Sequence, residues 1–338
     1  MPTKPLPRAN AGFSTDAIIV TVVGGANMDI VARTRLPLAP ADSTPGQVAC
    51  AAGGVARNVA ENLARLGHST HLISVVGDDV FGQTLLQTTR SAGVEVSGCA
   101  VLPHARTATY LSVHGPDGDM AMAVNDMAII EHITPGFLQA QAPALRAAAC
   151  LVLDCNLPAT ALACLFDLAA GVPVFADGVS VAKCVRLLPW LARIHTLKVN
   201  QLEVQALSGL AVNNMADAQQ AAAQLNLRGV AQVVVSMGAQ GACWCNARGE
   251  TGQRAPAPVA VVNTSGAGDA MLSGLVHAHL NQLPLEQAVA WAMACAELTL
   301  SSTFANAPEL CVAAVQSRLS DAPTPPDDDP THDPDSLP

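Results

Sequence analysis

Only 3% of the 338 residues are aromatic, although half are hydrophobic, so a core must be built mostly from Ala, Val and Leu. No apolar run is long enough for a membrane span, and the first 16 residues hold no apolar leader segment, so neither a membrane anchor nor a secretory signal is expected. There is no CxxC pair among the ten cysteines. They stand singly, at Cys50, Cys150, Cys155, Cys164 and Cys295 for example, and read as buried reduced thiols rather than metal ligands or disulfides. A reducing, cytoplasmic setting follows as an expectation. Basic residues are in deficit, with a net charge of −10, which argues against a nucleic-acid partner. There is also no Gly-x4-Gly-Lys-Ser/Thr run, so a phosphate-binding P-loop is absent, and Gly24–Asp29 (GGANMD) is not the GxGxxG of a dinucleotide site.

The acidity is uneven. Six of the 27 acidic residues lie in the last 18, which contain no Lys or Arg. The Pro- and Asp-rich end, 319–338, has little to bury and is expected to be disordered, and 1–16 reads as a ragged lead-in. Between them the pattern alternates. Residues 17–25 (AIIVTVVGG) form a buried strand and 54–67 a helix with Val55, Val59, Leu63 and Leu66 on one face. A strand follows at 71–79 and a helix at 80–92, and later strands lie near 150–154, 173–177, 195–199 and 231–236. Strand alternating with helix implies a mainly parallel sheet covered on both faces. Cys243 and Cys245 flank Trp244, the alternation of a strand with one buried face. Two stretches, 30–52 and 107–124, are β-rich without helices. The second is two alternating runs joined by GPDGD, a hairpin signal. Together they predict a small β lid on an α/β body.

Chemistry concentrates in NTSGAGD (263–269). Gly266, Ala267 and Gly268 let backbone approach a ligand closely, and the helix that starts there presents unpaired N–H groups and positive dipole charge to an anion. Asp269, in the first turn, is placed to take a proton from an attacking hydroxyl, and the helix terminus should favour its ionised form. Read alone, the run could equally be a plain helix cap.

The GAGD run, AAGGVARN (51–58) and GGANMD (24–29), in this order, resemble the motifs of the PfkB (ribokinase-like) carbohydrate kinases, over about residues 18–311. The resemblance implies a ribokinase-like three-layer α/β/α domain at 17–312, with a central sheet and a β lid, that transfers a phosphoryl group from ATP to a sugar or nucleoside. It implies Asp269 as base with Gly266, Ala267 and Gly268 as its anion hole. Asn27, Asp29, Gly54, Asn58 and Asn156 become acceptor contacts. Asn200, Ser236, Gly238, Gly241, Thr264, Gly266, Gly268 and Asn306 become ATP contacts. Glu203 in NQLE (200–203) would help to organise Mg2+ through water, though Asn200 and Glu203 also fit a helix capping box. Lys198, two residues before Asn200, could lie near the ATP phosphates, but a strand-end lysine is ordinarily solvated, and it is not counted among the site residues. Many members carry Asp-Thr-Thr before the GAGD run, with that Asp serving a monovalent cation. Here the run is Asn263-Thr264-Ser265, which weakens the electrostatic attraction for K+ and leaves that ion open. TATYLSV (107–113), AVNDM (123–127) and HTLKVNQLE (195–203) are similar to the group that acts on pseudouridine, with Asn125 as a base contact. A homodimer through the lid is expected from the same resemblance.

Overall fold

The computed structural model describes residues 18–39 and 41–320; the expected lead-in at 1–16 and nearly all of the acidic tail lie outside them. The first half of the chain contains β1 (Ile19–Val23), β2 (Asn27–Thr34), β3 (Gly46–Gly53), α1 (Val55–Arg65), β4 (Ser69–Gly77), α2 (Val80–Ser91), β5 (Glu95–Leu102), β6 (Thr109–His114), β7 (Met120–Asp126), α3 (Pro135–Ala140) and α4 (Ala142–Ala147). The second half contains β8 (Cys150–Asp154), α5 (Ala159–Leu168), β9 (Val174–Asp177), α6 (Val181–Cys184), β10 (Thr196–Asn200), α7 (Gln201–Ser208), α8 (Met215–Leu227), β11 (Gln232–Ser236), β12 (Ala242–Asn246), β13 (Thr251–Arg254), α9 (Ala267–Leu280), α10 (Leu285–Leu300) and α11 (Val312–Ser320). No helix among these residues is long and apolar enough to cross a membrane.

Nine strands form one sheet in the order β13-β12-β11-β10-β9-β8-β1-β4-β5. It is parallel except at β12 and β13, which run as antiparallel hairpin strands at one edge. Strands such as β8 are buried along their whole length, as expected where helices cover both faces. One core layer lies against α5, α7 and α8 and includes Leu151, Phe166 and Val235. The other lies against α1, α9 and α10 and includes Val59, Val152 and Leu275. The strand holding Cys243, Trp244 and Cys245 is buried on both faces, not one, because α8 and α10 both cover it. Past 312 the body continues. Val315 of α11 is fully buried, and Arg318 pairs with Glu297 of α10 at 2.8 Å.

The two β-rich stretches form a separate four-stranded sheet in the order β3-β2-β6-β7. β6 and β7 pair antiparallel across the GPDGD turn. Register puts Ala51, Asp29, Tyr110 and Asn125 in one row on one face. The opposite face carries Cys50, Leu111 and Val124, and all three are exposed. The expectation that Cys50 is buried therefore fails: its strand belongs to the lid, which has a single layer.

Helix α9 is anchored by histidines. His277 Nδ1 lies 2.8 Å from His68 Nε2, and the His277 ring stacks on Trp291. Burial, then His68, lowers His277 from its ordinary 6.5 to about 4. A lowered value means that the folded state holds the ring neutral while the unfolded chain takes up a proton below pH 6.5. This contribution is thus complete above pH 6.5 and is lost as pH falls toward 4, on the order of 3 kcal/mol at most for His277. The melting temperature should fall across that window, and less steeply in His277→Gln; parallel curves would remove His277 as the cause.

Candidate active site

The site forms where the sheet changes its direction of winding. β1 lies between β4 and β8, so the chain leaves β1 toward one edge and β8 toward the other, and a crevice opens between their carboxyl-end loops. Asp154, at the end of β8, draws the crevice walls together. Its Oδ2 accepts the N–H of Gly25 at 2.8 Å and of Ala56 at 3.0 Å, and its Oδ1 accepts that of Asn156 at 2.8 Å. Burial pushes this carboxyl up, and the N–H donors oppose it.

A cleft of about 250 Å3 opens here, and it gathers Asn27, Asp29, Gly54, Asn58, Asn125 and Asn156. These are the six acceptor-side residues expected from the sequence, drawn from four segments. Asn27 Nδ2 donates to Asp29 Oδ1 at 2.6 Å, which offsets part of the rise that burial causes in Asp29. Gly53 leaves the space that the Asp29 carboxylate fills: a Cβ there would stand 2.1 Å from Oδ2. Tyr110 and Lys183 also line the cleft and were missed. Tyr110 is the only tyrosine in the chain and shares the strand parity of Asp29, a signal that could have found it. Lys183 sits on the four-residue α6, where no periodicity marks it; its Nζ donates to Asn156 Oδ1 at 2.6 Å.

Asp269 occupies the first turn of α9 as expected, and Asn58 Nδ2 donates to its Oδ2 at 2.8 Å. The helix starts at Gly266 with no side-chain cap, so its first N–H groups face the site free of one. The ionisation state differs from expectation. Burial first, then the neighbouring Asp177, raises Asp269 to about 7; the Asn58 hydrogen bond and Lys198 act against the rise. Desolvation outweighs the helix terminus. A carboxylate near 7 is matched to proton abstraction at neutral pH.

Lys198 is not solvated. It is buried under the loop, with Nζ 3.0 Å from Asp177 Oδ2, and a Cβ on Gly268 would lie 2.5 Å from that nitrogen. Burial disfavours its charge, but Asp177, Glu203 and Asp269 outweigh burial and hold the lysine above its ordinary value. Gly268 thus makes room for a lysine beneath the loop.

The family model for pfkB family carbohydrate kinases matches residues 19–310. The chain belongs to this kinase family. It is 40% identical to the pseudouridine kinase of Escherichia coli (strain K12), over 90% of this chain and 97% of that protein. It is 38% identical to the uncharacterized sugar kinase YeiI of the same organism, over 88% of this chain and 82% of that one. Arabidopsis thaliana ribokinase, solved with ribose and ATP, superposes with a TM-score of 0.80 at 24% identity, covering 90% of this chain and 99% of that one. The fold is therefore ribokinase-like, and the chain is a phosphotransferase of the class that acts on an alcohol group.

Four of the residues expected on the donor side of the kinase lie at or just past the carboxyl ends of two adjacent strands. Asn200 ends β10 opposite Ser236, which ends β11, and Gly238 and Gly241 bound the short turn that follows. Thr264 is exposed in the loop before α9. Asn306 is committed elsewhere: its Oδ1 accepts from Arg57 at 2.9 Å, and its Nδ2 donates to Asn58 O and Asn62 Oδ1. Its amide faces α1, and both Nδ2 hydrogens are taken up there. Asn263 Nδ2 donates to Thr303 O at 3.3 Å, tying the start of the loop to the segment after α10.

Asn200 and Glu203 form a complete capping box at α7. Glu203 is buried, and burial together with nearby Asp177 raises its carboxyl. Among the described residues no group of three or more His, Cys, Asp or Glu could hold a metal directly. This donor set does not build a protein cage. It fits Mg2+ that keeps most of its waters and rides on nucleotide phosphates.

Proposed function

We propose that this kinase transfers the γ-phosphoryl group of ATP to the 5′-hydroxyl of pseudouridine, giving pseudouridine 5′-phosphate and ADP. The observation that carries the choice of acceptor is the 40% identity, along nearly the full length of both chains, to a pseudouridine kinase. The cleft is compatible with it. Asp29 and Asn58 can take the ribose diol, since a carboxylate accepts two hydroxyl hydrogen bonds. Tyr110, Asn125, Asn156 and Lys183 form a polar wall fit for a uracil edge.

In this reading the lid closes over the acceptor and expels water. The 5′-oxygen attacks the γ-phosphorus, Asp269 takes the hydroxyl proton, and the bond to ADP breaks. The N–H groups at 266–268 steady the charge on the transferring oxygens. Mg2+, when bound with ATP, would neutralise phosphate charge, and Glu203 and Asn200 would orient its waters. We further infer pairing of two chains through the exposed apolar lid face and a cytoplasmic setting. K+ dependence remains open under this reading, since Asn263 offers no carboxylate.

The 38% identity to a sugar kinase favours a second reading, a simple sugar or another nucleoside as acceptor. A panel of pseudouridine, uridine, adenosine, ribose and fructose in an ADP-release assay decides between them. Pseudouridine is expected to give the highest kcat/KM by at least about tenfold, the discrimination expected from a polar edge left unpaired by the wrong base. Preference for ribose or fructose sinks the pseudouridine assignment; binding of an acceptor with no turnover of any would point to a sensor instead.

A further inference from the structure

Arg57 stands beside Asn58 on α1, is 2% exposed, and takes no part in the chemistry described so far. Each of its three guanidinium nitrogens has a partner. Nη1 donates to Asn58 Oδ1 at 3.1 Å, to Asn306 Oδ1 at 2.9 Å and to Ala52 O at 3.0 Å. Nε donates to Thr89 Oγ1 at 3.2 Å, and Nη2 pairs with Glu61. A guanidinium donates and never accepts. The end of the Asn58 amide that faces it must be the oxygen, so the end that faces Asp269 must be the NH2 group. Asn306, held by the same Nη1, donates to Asn58 O and fixes the residue from its backbone side as well.

We propose that Arg57 is a positioning residue for phosphoryl transfer, locking the Asn58 side chain in the one orientation that donates to the carboxylate of Asp269. The proposal rests on Asp269 being the base. Without Arg57 the amide is free to turn over and present its oxygen. That oxygen repels an ionised carboxylate and accepts from a protonated one, so Asp269 becomes harder to ionise. The other charged groups facing Asp269 are Asp154, Asp177 and Lys198, from β8, β9 and β10, and none of them touches Arg57. Around Arg57 itself stand Glu61, Arg65 and Asp29. Glu61 keeps its contact with Arg65 at 2.7 Å when Arg57 is replaced, so no buried carboxylate is left alone.

The test uses Arg57→Met and Arg57→Lys, with kcat measured against pH at saturating acceptor and ATP, which removes any change at Asp29 from the reading. A carboxyl-carbon NMR titration of Asp269, assigned by its loss in Asp269→Asn, supplies a readout independent of turnover. In both variants the midpoint of the acid limb and the NMR titration should move up by about 0.5–1 pH unit, the worth of one lost hydrogen bond of about 1 kcal/mol. KM for ATP should change less than about twofold, since the change lies on the acceptor side. Unmoved midpoints overturn the proposal. So does a wild-type midpoint in Arg57→Lys, since charge alone would then suffice. If Arg57→Met does not fold, the lysine variant carries the same comparison. A wild-type protein inactive on every acceptor would defeat the kinase reading instead, and the NMR titration would still judge Arg57.

Discussion

Asp269→Asn is expected to lower kcat by at least about 10²-fold, the low end for loss of a general base, while the protein melts at the same temperature or higher. The stability half follows from the same geometry. The carboxylate is buried beside Asp177, and burial holds it near 7, so the folded state carries a cost that a neutral amide avoids. The amide oxygen can still accept from Asn58 Nδ2, which keeps the one direct contact. An activity residue that costs stability is the usual trade at such a site. The pH dependence is fixed in sign: the base must be ionised, its value is raised, and wild-type kcat therefore falls as pH drops through about 7. Near-normal turnover in a well-folded Asp269→Asn variant, or a wild-type rate flat from pH 8 to 5, would falsify the assignment.

The sequence made the frame of this site legible because its parts are local. Each strand end and helix start, Gly24–Asp29, Gly53–Asn58 and Gly266–Asp269, is written in contiguous residues whose spacing carries the turn or cap. The lid was legible for the same reason, since alternation and the GPDGD turn are short-range signals. What could not be read is what burial does to charge. Asp154, Asp177 and Lys198 are single letters at strand ends, and a strand-end lysine is ordinarily solvated. Only the parallel order β10-β9-β8-β1 sets these ends side by side under α9, where Lys198 becomes the buried counter-charge of Asp177. The ionisation of Asp269 was misjudged on the same account: its helix terminus is visible in sequence, its desolvation is not. Arg57 is a third case, since its partners Thr89 and Asn306 lie 32 and 249 positions away.

Gly266→Ala tests the loop that the base depends on, and its effect should rival that of losing the base. Gly266 caps α9 with φ +79°, and a Cβ there would lie 1.9 Å from the carbonyl oxygen of Ala305. That carbonyl has little room to retreat. The segment around it is tied to the loop through Val262 N and Asn263 N, which both donate to Leu300 O, and through Asn263 Nδ2 to Thr303 O. Asn306 pins its far side to α1. The clash must therefore move the start of α9, and with it the N–H groups at 266–268 and the carboxylate of Asp269. A displacement of about 1 Å at reacting groups is enough for a 10²-fold loss, so kcat should fall by about that factor. Gly67→Ala is the matched comparison. It has φ +86° but nothing within 4 Å of its would-be Cβ, so it bears the left-handed backbone cost of about 1–2 kcal/mol alone. Gly266→Ala adds an overpacking cost of about 1–3 kcal/mol. Its melting temperature should therefore lie below that of Gly67→Ala, which should keep full activity. Equal melting temperatures with unimpaired turnover in Gly266→Ala would show that the loop yields freely, and the anion hole would then need no rigid floor beneath it.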